Sequence, residues 1–61
     1  MNTNEMLQRS VTYEEAMLRN YKKFAQQAEN TEVGDLFSLL TKEKEAQIEK
    51  MKSLLKRYCK P

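Results

Sequence analysis

Glu14, Lys44 and Gln47 carry the most chemical consequence in this chain, because each interrupts an otherwise apolar row of residues. A carboxylate set in an apolar stripe needs a counter-charge, and in helical bundles a metal ion often supplies it. Thirty residues further on, Lys44 offers a cation instead, and Gln47 offers an amide that both donates and accepts hydrogen bonds. The three side chains are expected to form one charge-balanced polar layer rather than a metal site. Glu15 and Glu43 flank the rows, where they are expected to be solvated; a carboxylate-only site of Glu14 with Glu43, or with Glu15 as well, is the metal arrangement the residues leave open. No His is present, no Ser or Cys stands beside a base, and no glycine-rich phosphate loop occurs, so no catalytic residues are assigned.

The elements that position these residues follow from composition and period. With one Gly and one Pro in 61 residues, and Leu, Glu, Lys, Gln, Met and Ala abundant, the chain is all-α. The segment Glu29-Asn30-Thr31 is the one polar cluster that looks like a turn. Asn30 suits the left-handed conformation that ends a helix, and Thr31 suits a cap for the next. Helices are therefore predicted over about 4–29 and 32–58, joined at 30–31 within a single domain, 1–61. So short a connection forces an antiparallel two-helix hairpin. Gly34 falls in the first turn of the second helix, where its cost is small.

Apolar residues recur at spacings of three and four. The first row is Leu7, Ser10, Glu14, Met17, Tyr21, Phe24 and Ala28, widened on one flank by Val11, Leu18 and Ala25. The second is Val33, Phe37, Leu40, Lys44, Gln47, Met51, Leu54 and Tyr58, widened by Leu36, Ile48 and Leu55. Stripes this broad suit a four-helix bundle better than a two-stranded coiled coil. Two helices alone bury one thin interface, against an ordering cost of roughly 1.5 kcal/mol per residue. Self-association is expected: two hairpins dimerise, or assemble into a higher homo-oligomer, and Leu7, Met17, Tyr21, Phe24, Phe37, Leu40, Met51, Leu54 and Tyr58 are expected to form the core and dimer seam. In a hairpin folded at 30–31, Glu14 lies level with Gln47, and Lys44 lies three residues nearer the turn. That offset is roughly 4–5 Å, which a lysine side chain spans.

The stretch Glu14-Glu15-Ala16-Met17-Leu18-Arg19-Asn20-Tyr21-Lys22-Lys23-Phe24-Ala25 resembles the first helix of a rubrerythrin half in the ferritin-like superfamily. In that family a ligand Glu precedes a Tyr by seven residues, and Phe-Ala follows the Tyr by three. Leu36-Phe37 and the linker Asn30-Thr31-Glu32-Val33 are similar to the second helix and the short turn. The resemblance covers nearly the whole chain and implies one half of a ferritin-like four-helix bundle, whose di-iron site takes a Glu from each of two helices and Glu-x-x-His from the other two. Lys44 stands at the expected Glu and Gln47 at the expected His, so only Glu14 is retained. A cation at a ligand position repels a divalent metal. The implied protein is thus a metal-free, non-catalytic relative with a structural or protein-interaction role and no cofactor. The alternative is an iron-binding protein using Glu14 with unconventional ligands.

Charge separates the halves. Residues 1–35 carry four basic and six acidic side chains, whereas residues 36–61 carry seven basic and three acidic. Lys50, Lys52, Lys56, Arg57 and Lys60 could form a nucleic-acid or membrane-surface patch. Cations at a helix C-terminus also complement the macrodipole, and Glu45 and Glu49 interleave them as helix-face pairs, which is the reading preferred here. The start MNTNEMLQRS lacks the basic and apolar blocks of a secretory signal, and no apolar run is long enough to span a bilayer. One thiol, Cys59, fits a reducing compartment, so a cytoplasmic location is expected. Tyr13, Tyr21 and Tyr58 are expected as packing residues, as are the methionines beyond Met1.

Overall fold

The computed structural model describes residues 1–58 and contains two helices, α1 (Thr3–Gln27) and α2 (Thr31–Tyr58), packed against each other as a hairpin. The 25 and 28 residues of the two helices give a body 46 Å long and 17 by 13 Å across. Asn2 caps α1, its side-chain oxygen accepting from the Glu5 N–H at 2.8 Å, with the Glu5 carboxylate itself in the favourable first turn. Lys56 and Arg57 occupy the last turn of α2, where their charge opposes the negative end of the helix dipole.

The reversal uses different chemistry from that expected. α1 ends at Gln27, two residues earlier than the sequence suggested, and its C-cap Ala28 turns to extended backbone at φ −66°, ψ 124°. Asn30 does not take the left-handed conformation, and among the described residues none has positive φ. Asn30 is instead the N-cap of α2: its side-chain oxygen accepts from Val33 N–H at 3.1 Å, and its carbonyl accepts the first helical bond from Gly34 N–H at 2.9 Å. Thr31 is thereby the first helical residue rather than the cap. Neither Ala28 nor Glu29 breaks helices by propensity. The chain leaves α1 there because Asn30 starts a new helix that can fold back onto the apolar stripe.

The packing line between the helices is displaced from the predicted rows. Val11 and Ile48, which the pattern put on the flanks, are the two buried residues among those described, at 8% and 3% exposure. Leu7, Leu18, Tyr21, Ala25, Phe37, Leu40, Met51, Leu54 and Leu55 are half-buried around them. Met17, Phe24, Val33 and Tyr58, assigned to the central rows, are exposed in the single hairpin, as is Leu36. Each helix advances 100° per residue, so Met6, Tyr13, Met17 and Phe24 share one edge of α1, and Val33, Leu36 and Tyr58 one edge of α2. In an antiparallel hairpin those edges lie on the same side of the molecule. Phe24 and Phe37 meet edge to face at 5.3 Å, and Tyr21 lies 6.0 Å from Phe37, which ties the two edges together near the turn. The result is a hairpin with a narrow line of internal contact and one open apolar face.

Candidate functional site: a polar layer at mid-length

Glu14 and Lys44 stand near the middle of their helices, and the hairpin brings them into contact. The Lys44 ammonium pairs with Glu14 Oε2 across the helix interface. It also donates to Gln47 Oε1 at 3.2 Å, one turn along α2. The two charged side chains are mostly withdrawn from solvent, at 16% exposure for Lys44 and 23% for Glu14. Glu14 Oε2 itself is sealed from water, with the ammonium as its charge partner and no aligned hydrogen bond. A carboxylate oxygen in that position depends on its cation, since water cannot solvate it.

Gln47 departs from the expected arrangement. It is exposed, on the open apolar face, rather than enclosed between α1 and α2. The layer is therefore asymmetric, with a shielded ion pair inside the hairpin and an amide reaching the edge of the uncovered face. Thr41, one turn before Lys44, satisfies its hydroxyl on Phe37 C=O at 2.8 Å, so it adds no free polar group to the interface.

Two further interhelical pairs bracket the layer. Glu15 pairs with Lys52 at 3.2 Å and Lys22 with Glu45 at 3.7 Å, all four side chains roughly half exposed. The sequence reading treated Glu15 as solvated and Glu45 as a same-helix partner of the basic run. The available signal was register, because both pairs share one antiparallel alignment of the helices. Their value lies in pinning that alignment, since exposed pairs each add only about 0–1 kcal/mol. Of the basic group at the end of α2, Lys52 is thus engaged by Glu15, while Lys60 lies outside the described residues. Cys59 also lies outside them.

The residues present do not fit a di-iron centre. An ammonium holds the carboxylate that would be the ligand, and the amide oxygen of Gln47 faces that ammonium where an imidazole nitrogen would be needed. Among the described residues no three His, Cys, Asp or Glu side chains gather as a metal-binding group, and Glu43 stands exposed, apart from any such cluster with Glu14. Two surface depressions stand out among the described residues. One, lined by Phe24, Gln27, Ala28, Val33 and Phe37, is an apolar groove on the open face beside the turn. The other, lined by Gln8, Arg9, Thr12 and Tyr13, runs along α1 alone. No described helix is long and apolar enough to cross a membrane. Comparison with known protein families, with curated proteins and with solved structures finds no match to this chain.

Proposed function

We propose that this chain is a non-catalytic, metal-free assembly protein: a hairpin that closes its apolar face against a second hairpin in a ferritin-like four-helix bundle. Its role is structural or interactive, and the Glu14–Lys44–Gln47 layer specifies how the helices meet. The observation that supports this most is the Lys44 ammonium on the shielded oxygen of Glu14. In a metal-bridged bundle, several inward carboxylates would be neutralised by the ion. Here one lysine per carboxylate cancels the charge within each hairpin, so two hairpins together hold a neutral layer.

Such a layer contributes little net stability, because desolvating both ions offsets most of their attraction. Its effect is on specificity. Slipping one helix by a turn would leave Glu14 Oε2 in an apolar environment without a cation, which penalises the wrong register more than it rewards the correct one. The similarity of the Glu14–Ala25 stretch to a rubrerythrin half supports the same architecture, with Lys44 and Gln47 replacing the chemistry.

The test is elemental analysis of protein purified without chelators, beside the Glu14→Ala variant. Protein free of stoichiometric transition metal, in both native and variant forms, is the expected result. One iron or more per pair of chains, lost in the variant, would overturn the metal-free reading and favour an iron-binding one.

A further inference from the structure

The open apolar face requires an occupant, and its area, charge and the position of the polar layer together select one. The described hairpin exposes 4999 Å². A compact 7.2 kDa chain is expected to expose about 4,100 Å². The surplus of about 900 Å² is close to the roughly 800 Å² that each partner contributes to a standard stable interface. The radius of gyration, 14.1 Å, likewise exceeds the roughly 10.5 Å expected of a closed domain of this length.

Charge then decides the orientation. The turn end, residues 24–41, carries Glu29, Glu32 and Asp35 and no basic side chain. At the opposite end, residues 1–13 and 48–58 carry five basic side chains against two acidic. Two hairpins packed with their turns together would set acid on acid and base on base. Packed with turns at opposite ends, each acidic turn meets a basic end.

The polar layer fits the second arrangement. A twofold axis across the helices brings a residue next to its own copy only at mid-length. Lys44 is the fourteenth of 28 residues of α2, and Glu14 the twelfth of 25 of α1. Placing the axis between Lys44 and Glu45 also sets Glu32 level with Arg57 of the partner subunit, both exposed and both on the outer edge of the apolar face of α2.

Resting on the self-associating hairpin proposed above, we infer that the apolar face is covered by a second copy in antiparallel orientation, with α2 lying on α2, the two Glu14–Lys44 layers coinciding, and Glu32 facing Arg57 across the interface at both ends.

Two measurements on the full chain test this. In a Cys59→Ser background, spin labels at Asn30→Cys report the separation of the two turns. The antiparallel dimer gives about 40 Å, from fourteen residues on each side of the axis at 1.5 Å per residue. A separation below about 20 Å, set by neighbouring helices 8–10 Å apart plus the label arms, overturns the antiparallel orientation while leaving the dimer itself intact. Glu32→Arg is expected to raise the dimer Kd roughly tenfold through two new like-charge contacts, and Glu32→Arg/Arg57→Glu to recover it to within about threefold. A doubly substituted chain as weak as the single variant, with helicity unchanged by circular dichroism, overturns the Glu32–Arg57 pairing. A native chain that sediments as a monomer at millimolar concentration removes the self-association reading as well.

Discussion

Replacing Lys44 by Met separates an ion pair that specifies register from one that is only decorative. Lys44 and Glu14 are 16% and 23% exposed, and Glu14 Oε2 is dry. Losing one partner of a fully buried pair costs about 3–5 kcal/mol, and partial solvent access here reduces that to about 1.5–3 kcal/mol for Lys44→Met. At roughly 4–8 °C per kcal/mol for a domain of this size, the melting temperature should fall by about 6–24 °C. Glu14→Leu should cost less, about 1 kcal/mol, because a stranded lysine can carry its ammonium along the interface to water. The double variant Glu14→Leu/Lys44→Met removes both charges and should lie within about 1 kcal/mol of the native chain. The cycle thus predicts a coupling of roughly 1.5–4 kcal/mol, well above the ~0.5 kcal/mol scatter of independent sites. Urea or thermal unfolding followed by circular dichroism, at one fixed chain concentration, measures all four proteins. Losses that simply add, or a Lys44→Met variant as stable as the native chain, would refute the reasoning.

Three other outcomes follow from the hairpin and are checked by the same unfolding curves. Gly34→Ala should stabilise by at most about 0.5 kcal/mol, since an added Cβ would sit 3.6 Å from Ala28 Cβ and 3.7 Å from Ala25 O, in ordinary contact, while the first-turn position limits the gain in helix propensity. Ile48→Ala should cost about 2–4 kcal/mol because Ile48, 3% exposed, is the more enclosed of the two buried side chains among the described residues. Asn30→Ala should cost about 1 kcal/mol through loss of the cap on Val33 N–H, and Asn30→Gly should still cost a few tenths, whereas a helix-ending left-handed residue would be stabilised by glycine.

Much of the hairpin was legible in the sequence because its signals are local and redundant. Periodic apolar rows, good helix formers and a single polar break at 29–31 leave little choice but two helices folded back on each other. The approach of Lys44 to Glu14 and Gln47 was legible for the same reason, since register from the turn and the reach of a lysine fix it within one helical turn. The turn chemistry was less so. Asn serves equally well after one helix or before the next, and only the backbone conformation at Ala28 and Asn30 distinguishes the two uses. The packing line was also displaced, from Met17 and Phe24 toward Val11 and Ile48. A stripe wide enough for a four-helix bundle has two working edges, and periodicity does not say which edge meets the chain's own second helix and which is left for a neighbour. The exposure of Gln47 has the same origin, because it lies on the outer edge.

A hairpin in which, among the described residues, only Val11 and Ile48 are buried is half of a larger fold on this account. Sedimentation equilibrium of the native chain at micromolar to millimolar concentration tests it most directly. A mass of twice 7.2 kDa, falling toward the single-chain value only on dilution and with loss of helicity, is the predicted result. A fully helical species holding at 7.2 kDa across that range would contradict it.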